Sequence, residues 1–416
     1  MPTQTPAPPT AAPTARRANR ARRSLNAQSI VDLLRASGPQ SQAAIARRTE
    51  LSPAAVNKIV QALKDEGAVQ IQWINGREAL VELVPKHGTI VSVNVGPQAV
   101  NGAIFAFGAN RRIDLEITDP ARIGGPDPVV TLVRELAAQA GVAVGDLAGV
   151  SVAIQAPIDR ASGGIIAPWA AMRLPRWKDV PIATMLGEAL GVPVAVDNDA
   201  NLGALAEWTW GAGRRSDCFL YVACSVGIGG GLVVDGKLHR GGNGMAFEIG
   251  HVVLDANGPV CFCGSRGCLS TVASERSILL ALQGSESPKN SLAEVIAAAQ
   301  AGDPICARVL YEAGRQLGRA LANMTKILAP SVIAVGGTLA LAGDLVFGGI
   351  QTAIEENNVP AFSSSVQLRP AQLGRDATLL GGLASVMGDL GQGLSDLPPW
   401  MLDAHRLDLP SVAAAL

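Results

Sequence analysis

The spacing of apolar and polar positions along this 416-residue chain changes near residue 88. Before that point, apolar residues recur at the three- and four-residue intervals of short amphipathic helices. Beyond it, short apolar strands alternate with helices and Gly-rich turns, a pattern typical of an α/β domain with buried sheets. Four of the strand-like runs read TIVSVNV, GVSVAIQAP, CFLYVACSV and SVIAVGG. The pattern predicts two sheets with a cleft between them.

Residues 25–87 have the pattern of three helices followed by a hairpin. The third helix is the clearest, because Ser52 can cap it and Pro53 suits its first turn. Its apolar face is formed by Val56, Ile59, Val60 and Leu63. The dipeptide Asn75-Gly76 then joins two strand-like runs and is a strong hairpin signal. The segment is therefore predicted to be an all-α/winged helix-turn-helix domain.

The polar face of the third helix suits the major groove of DNA. Asn57 and Gln61 can offer paired donors and acceptors to base edges, and Lys58 can bind a phosphate. Arg77, at the hairpin tip, can reach the backbone or the minor groove. The expected DNA-binding residues are Ser52, Ala54, Asn57, Lys58, Gln61 and Arg77. A small helical adaptor domain is the alternative, but the outward amides and a local excess of basic residues favour DNA.

Charge is divided between the two parts of the chain. The whole sequence has a net charge of -1, but residues 1–87 contain 12 Arg and Lys against 6 Asp and Glu. Residues 1–24 are rich in Pro, Ala and Thr, contain five Arg, and have too little apolar surface to fold. We expect a disordered basic arm that can lie along phosphates. A solvated tail without a partner is the alternative.

The overall composition is ordinary for a soluble protein, with 48% hydrophobic and 17% charged residues. No apolar run reaches the roughly 20 residues that a membrane helix needs, and the N-terminus lacks the apolar segment of a secretory signal. These features predict a cytoplasmic protein without a membrane partner.

The stretch EIGHVVLDANGPVCFCGSRGCLS, residues 248–270, places one His close to three Cys. One imidazole and three thiolates form a ligand set favoured by tetrahedral structural zinc. Gly264 and Gly267 would let this loop, residues 251–268, fold tightly around a metal. The expected ligands are His251, Cys261, Cys263 and Cys268, which leave no open position, so the zinc is expected to be structural. A redox CxC pair is the alternative, although the upstream His fits it poorly.

The chain beyond the basic arm resembles the ROK family (repressor, open reading frame, kinase) of sugar kinases and transcriptional repressors. The resemblance is carried by the motifs EIGH, CFCGSRGC, VDNDANLGALAE, SVGIGGG and VIAVGGT. Together with the winged helix, these motifs are similar to the repressor branch. The resemblance implies an actin-like (ribonuclease H-like) bilobal domain whose cleft binds a monosaccharide, with ATP beside it in the kinases. We expect this domain at 88–390 and a C-terminal tail or helix at 391–416.

The resemblance also implies which residues contact the sugar. Asn198 and Asp199 match the family pair that hydrogen-bonds sugar hydroxyls, and Asp199 matches the kinases' catalytic base, which accepts a proton from the attacking hydroxyl. Glu248 and His251 match further sugar contacts. His251 would then bind zinc with one ring nitrogen and face a hydroxyl with the other. For the Asp-Asn tract taken alone, a helix N-cap is the alternative.

Departures from the family pattern argue against catalysis. Asn94, Pro97 and Gln98 stand within the segment where the kinases have Asp-x-Gly-Gly-Thr, so the charged group is absent and Pro97 has no N–H to donate. In the second phosphate loop, Val226 stands where the kinases tend to have Thr. Phosphoryl transfer depends on positioning and charge stabilisation at such loops. The chain is therefore not expected to be an enzyme, and Asp199 is expected to act as a ligand contact.

Two further departures lie at the expected sugar pocket. Ser270 stands where the family usually has a Glu that contacts the sugar, so one strong acceptor is absent. Phe247 stands where the family usually has Gly. The pocket is predicted to accept a ligand unlike glucose or N-acetyl sugars, or to have lost ligand binding.

These observations predict a sugar-responsive DNA-binding regulator, and specifically a repressor, of carbohydrate metabolism genes. The expected partners are operator DNA and a small sugar or polyol effector. Paired half-sites require a two-fold protein, so a homodimer or homotetramer is expected. The alternatives are an ATP-dependent sugar kinase that uses Asp199 as its base, and a DNA-binding protein with a vestigial sensor cleft.

Overall fold

The computed structural model describes residues 26–27, 29–31, 33–34, 37–65, 69–74, 78–83, 88–96, 99–118, 125–160, 162–284, 288–363, 365–391, 393 and 396–402. The chain divides into two compact units. The smaller comprises residues 1–87 and 388–395, and the larger comprises residues 88–387 and 396–416.

The smaller unit is a winged helix-turn-helix, as the sequence predicts. The described residues between 26 and 34 are helical. They are followed by β1 (Gln40–Ser41), α1 (Gln42–Thr49), α2 (Pro53–Asp65), β2 (Val69–Ile74) and β3 (Glu78–Leu83). The strands form an antiparallel sheet in the order β1-β3-β2. The short strand β1 was not predicted.

Side-chain caps explain where α1 and α2 begin. The Ser41 hydroxyl oxygen accepts a hydrogen bond from the Ala44 N–H, and Ser52 accepts one from the Ala55 N–H, both at 3.3 Å. The predicted apolar face of α2 packs into the core through Val56, Val60 and Leu63, with Ile59 at its edge. The hairpin turn at 75–77, which includes Arg77, and the basic arm at 1–24 lie outside the described residues.

The first sheet of the larger unit has the order β6-β5-β4-β7-β8. Its strands are β4 (Thr89–Val95), β5 (Val100–Ala106), β6 (Arg111–Ile117), β7 (Leu147–Ile154) and β8 (Val194–Asn198). The pairs β4–β7 and β7–β8 are parallel, and the pairs that join β4, β5 and β6 are antiparallel. The helices that accompany it are α3 (Asp127–Ala140), α4 (Pro168–Arg173) and α5 (Ile182–Leu190).

The second sheet has the order β11-β10-β9-β12-β13. Its strands are β9 (Cys218–Cys224), β10 (Ile228–Val234), β11 (Lys237–Leu238), β12 (Val332–Gly336) and β13 (Gln367–Pro370). The remaining helices are α6 (Asp199–Trp210), α7 (Ser270–Ala273), α8 (Glu275–Ala281), α9 (Leu292–Gln300), α10 (Pro304–Leu328), α11 (Asp344–Asn357), α12 (Pro360–Ser363) and α13 (Ala377–Asp389). The predicted two-sheet α/β architecture is confirmed.

Glycines in β10 let the helix α6 approach the second sheet closely. A Cβ added at Gly231 would lie 2.5 Å from the Ala204 Cβ, and one at Gly229 would lie 2.9 Å from the Ala200 Cβ. Both contacts are shorter than packed carbon atoms allow, so side chains here would push α6 away. Because α6 begins at Asp199, these glycines help to fix the position of that carboxylate.

None of the helices within the described ranges is both long and apolar enough to cross a membrane.

Candidate functional site

A cavity of about 450 Å³ lies in the larger unit where strands of both sheets end. The segments that follow β7, β8, β9 and β12 all contribute to its lining, and ligands of α/β proteins commonly bind beyond the carboxyl ends of strands. The four expected sugar contacts line this one cavity, together with Ser270. They are Asn198, Asp199, Glu248 and His251.

The Asn198 side chain caps α6. Its Oδ1 accepts hydrogen bonds from the N–H groups of Ala200 and Asn201 at 2.9 and 3.1 Å, and its Nδ2 donates to the Ala156 carbonyl oxygen at 3.2 Å. The N-cap alternative for this tract therefore describes the Asn198 side chain correctly. An amide has two N–H groups, so one remains to meet a ligand.

Two carboxyl groups in the cavity have raised pKa values. Burial raises the pKa of Asp199 to about 6, against the lowering effect of hydrogen bonds from backbone N–H groups and from Gln155. Burial and the nearby charge of Asp199 raise the pKa of Glu248 to about 7. Near neutral pH these groups can act as acceptors and, when protonated, as donors, which suits hydroxyl ligands.

The pKa of Asp199 predicts a stability cost for its carboxylate. The folded protein holds this proton more tightly than the unfolded chain, so stability falls as pH rises from about 4 to about 6 and then levels off. We expect Asp199→Asn to raise the free energy of unfolding above pH 6 by up to about 2 kcal/mol, and to change it little at pH 4. Urea denaturation at pH 4 and pH 8 measures the difference.

Asp127→Asn is the matched control, since Asp127 is also the first residue of its helix but is exposed. That change should slightly reduce stability through the loss of a favourable charge at a helix N-terminus. Equal effects of the two substitutions would contradict the desolvation argument.

An ion pair between Arg240 and Asp197 lies next to the Asn198-Asp199 tract. Arg240 donates to Asp197 Oδ2 through Nε at 2.8 Å and Nη2 at 2.5 Å, and both side chains are largely buried. The other carboxylate oxygen of Asp197 accepts hydrogen bonds from the Asn198 N–H and from Asn201 Nδ2. Arg240 lies after β11, so the pair connects the two sheets. Sequence spacing gave no signal for it.

The four expected metal ligands converge in the structure. Their donor atoms, one each from His251, Cys261, Cys263 and Cys268, lie within 4.8 Å of one another. His251 Nδ1 is 3.5 Å from Cys261 Sγ, and the Sγ atoms of Cys263 and Cys268 are 3.7 Å apart. A tetrahedron with Zn–S near 2.3 Å and Zn–N near 2.0 Å has edges of about 3.5 and about 3.8 Å. These two donor–donor distances match such edges, and the cluster can hold a metal ion.

Tight turns form the loop that carries these ligands. Gly264 and Gly267 have φ values of 92° and 58°, in the left-handed region that favours glycine, as predicted. A Cβ at Gly267 would lie 1.7 Å from the Asp255 carbonyl oxygen. The backbone closes through hydrogen bonds from the Leu254 N–H to the Gly267 carbonyl and from the Leu269 N–H to the Val252 carbonyl.

Phe247 adopts a backbone conformation that favours glycine. Its φ is 63°, which is uncommon for an aromatic residue. The ring packs over Gly230, where an added Cβ would lie 2.6 Å from a ring carbon. Ser270 also lies close to backbone, because a Cβ at Gly250 would lie 2.6 Å from its Oγ.

An aromatic cluster that was not predicted forms one wall of the cavity. The Trp169 ring centroid lies 4.7 Å from that of His251 and 5.5 Å from that of Phe262, and the latter two are 5.0 Å apart. Arg173 Cζ lies 4.7 Å from the Phe262 ring centroid. Because Trp169 and Arg173 lie on α4 and Phe262 lies in the metal loop, the cluster joins segments distant in sequence.

The segments that correspond to phosphate loops are only partly described. Pro97 and Gln98 lie outside the described residues, and Asn94 Nδ2 donates to Asn101 Oδ1 at 3.2 Å. In the second loop, Ser225 Oγ accepts a hydrogen bond from the Thr338 N–H at 3.0 Å, and Val226 is exposed. Ser225 thus links the ends of β9 and β12.

The expected DNA-contacting side chains of α2 are exposed on one helix. They are Ser52, Ala54, Asn57, Lys58 and Gln61. Gln61 Nε2 donates to Asp65 Oδ1 at 3.0 Å, so this amide would have to leave Asp65 to reach a base.

Comparison with known proteins places these sites in context. Residues 90–388 match the sequence model of the ROK family, and residues 24–70 match that of a winged helix-turn-helix DNA-binding domain. The chain is 28% identical over 360 residues to the xylose repressor of Bacillus subtilis (strain 168), covering 84% of this chain and 91% of the repressor. It is also 38% identical over 221 residues to the glucokinase of Halalkalibacterium halodurans, covering 50% of this chain and 67% of the kinase.

The fold matches a solved structure along most of its length. The crystal structure of a ROK family transcriptional regulator, a homologue of the Escherichia coli Mlc protein, superposes with a TM-score of 0.72 and 24% identity. The match covers 89% of this chain and 96% of that one.

Proposed function

The chain belongs to the ROK family, and we propose that it is a sugar-responsive transcriptional repressor of carbohydrate metabolism genes. The proposal is supported mainly by two sites in one chain, a DNA-binding surface and a cavity for a small ligand. A winged helix exposes Asn57, Lys58 and Gln61, and a separate cavity is lined by Asp199 and Glu248. Similarity to a xylose repressor across both parts supports it.

Sugar recognition is assigned to four side chains. The carboxyl groups of Asp199 and Glu248 accept hydrogen bonds from hydroxyls, and Asn198 offers its second N–H. Because His251 Nδ1 faces the thiols, its Nε2 is the nitrogen available to a ligand. The cavity volume exceeds that of a monosaccharide, so water or a substituent would share the space.

We assign the metal loop to structural zinc, held by His251, Cys261, Cys263 and Cys268. Bound zinc would supply a cross-link that fixes the loop and the His251 ring. The loop also carries Phe262, so its order would shape the aromatic wall of the cavity.

The cavity is proposed to bind without catalysis. Asn94, Pro97 and Val226 replace groups on which the kinases depend, and Asp199 then serves as a ligand contact. A sugar kinase remains the second candidate, because Asp199 lines the cavity and the larger unit is similar to a glucokinase.

We propose that DNA binding and sugar binding are coupled through the assembled protein. A homodimer or homotetramer would place two copies of α2 on a palindromic operator. A sugar changes operator affinity only as far as it binds one arrangement of the protein better than the other.

Titration of DNA from upstream of its own gene and neighbouring genes, with a panel of sugars and with or without ATP and magnesium, tests the proposed function. We expect specific binding that one sugar alters without ATP. ATP-dependent phosphorylation of a sugar would favour the kinase, and the absence of any specific DNA binding would contradict the repressor.

The Arg240–Asp197 pair gives a prediction for sugar affinity. Removing the Arg240 charge leaves a largely buried carboxylate next to Asn198 and Asp199 without its cation. We expect Arg240→Met to weaken effector binding about tenfold, equivalent to about 1.4 kcal/mol, while DNA affinity without sugar is unchanged. Isothermal titration calorimetry measures the change.

Arg315→Met is the matched control. Arg315 has the same side-chain exposure, 19%, and also pairs with a carboxylate, Glu356, but neither residue lines the cavity. Similar losses of sugar affinity in both variants would show that the Arg240 effect is general destabilisation.

A further inference from the structure

Arg173 is a cation at the cavity wall and forms no ion pair with a carboxylate among the described residues. It ends α4, lines the cavity and lies over the Phe262 ring. Within the described part of the chain no ion pair involves Arg173, whereas Arg112 and Arg240 each contact carboxylates directly. A guanidinium placed over an aromatic face keeps the N–H groups at its edges available to an anion.

Arg173 lies beside the aromatic cluster of the cavity wall, and the residue is exposed. Phe262 belongs to the metal loop between two of the expected metal ligands, and Trp169 packs against both Phe262 and His251. Several contacts therefore restrict the wall on which Arg173 lies. A positioned guanidinium can bind a carboxylate or phosphate through two parallel hydrogen bonds.

The residue at position 270 also affects the charge of the cavity. Ser270 lines the cavity at the position where the family resemblance implies a Glu, so the side chain here is uncharged. The cavity also holds the carboxyl groups of Asp199 and Glu248, but Ser270 adds no further negative charge and Arg173 has no ion-pair partner among the described residues. Both features favour an anionic group on the part of the ligand that lies beside Arg173.

We propose that the effector is an anionic sugar, whose carboxylate or phosphate binds Arg173 beside the metal loop while its hydroxyls contact Asn198 and Asp199. The inference rests on the proposed function, because it names the ligand class of the same cavity. It also gives Ser270 a role, since a Glu at this position would repel the anion.

Calorimetry on the zinc-loaded full-length protein with matched ligands tests the proposal. The probes are D-xylose with D-xylonate, and D-glucose with D-gluconate, D-glucuronate and glucose 6-phosphate. We expect at least one acid or phosphate ester to bind about tenfold or more tightly than its neutral parent, a difference typical of a charge-assisted pair. The carboxylate and phosphate arms distinguish the two kinds of anion.

Two substitutions identify the residue responsible. Arg173→Met should abolish the preference for the anion, and Ser270→Glu should reduce it by restoring a negative charge. Arg375→Met is the control, because Arg375 also lines the cavity but already interacts with another group of the protein. It should retain the preference.

The proposal is overturned if no anionic sugar binds, if neutral parents bind at least as tightly, or if Arg173→Met leaves the preference unchanged. The proposed function has its own readout in the same samples. Operator binding altered by a neutral sugar would sustain the repressor while rejecting the anionic effector. Absence of any operator binding would reject the repressor regardless of which sugar binds.

Discussion

Replacing Asn57, Lys58 and Gln61 together by Ala is expected to weaken operator binding about a thousandfold at moderate salt. Each amide that reads a base edge contributes roughly 1–3 kcal/mol, and a lysine at a phosphate adds an electrostatic contribution. All three side chains are exposed, so the substitution leaves the apolar face of α2 intact. Fluorescence anisotropy with the DNA fragment that the wild-type protein binds measures the loss.

The three single substitutions should differ in how much they weaken DNA binding and in how that loss depends on DNA sequence and salt. Asn57→Ala should cost more than Gln61→Ala, because the Gln61 amide must first give up its bond to Asp65, which offsets part of its contribution. Lys58→Ala should weaken binding to all sequences alike and reduce the slope of log affinity against log salt by about one.

Lys178→Ala is the control for net charge, since Lys178 is exposed and lies in the larger unit. A comparable loss of affinity in that variant, or wild-type affinity in the triple variant, would contradict the assignment of α2 as the recognition helix. Unchanged sugar binding in the triple variant would show that the larger unit is intact.

Local chemistry explains what the sequence predicted correctly. Ser52 is a cap whose effect extends over three residues, and Gly267 is required by its own backbone angle, so each leaves a signal in the sequence. The strand β1 is only two residues long, too short for an alternating pattern, and it is defined by pairing with β3.

Long-range contacts explain what the sequence did not predict. Arg240 meets Asp197, and Arg173 meets Phe262, across segments separated by tens of residues. The periodicity of apolar residues shows only which residues share a face of one helix or strand. It therefore cannot predict contacts between residues of different segments. One signal was available for Phe262, because it lies between two expected metal ligands. If both neighbouring Cys side chains face a metal, the side chain between them points away from it and can contact another segment.

Cys268→Ala is expected to remove bound zinc and abolish the response to sugar while leaving DNA binding in place. Cys268 is fully buried, and its Sγ lies 3.7 Å from that of Cys263, so the substitution deletes one donor from a set that fills all four positions. Loss of an outer-shell partner already costs about 10–100-fold in metal affinity, and loss of a direct ligand should cost more.

The consequence for sugar follows from the contacts of the metal loop. The loop carries His251 and Phe262, which together with Trp169 form the aromatic wall, so a loosened loop displaces part of the cavity lining. Zinc content by mass spectrometry under native conditions, operator binding without sugar, and the change in operator binding on addition of sugar measure the three effects separately. Thermal unfolding of the same preparation measures stability.

Cys306→Ala is the matched control, because Cys306 is also buried, at 2% exposure, but lies near the start of α10 outside the metal cluster. Cys306→Ala measures the loss of stability that comes from a small buried cavity alone. If Cys268→Ala retained stoichiometric zinc but lost the sugar response, Cys268 would act through packing. If Cys268→Ala retained both stoichiometric zinc and the sugar response, the four-ligand zinc site would be wrong. Another interaction would then have to hold His251 in position in the cavity.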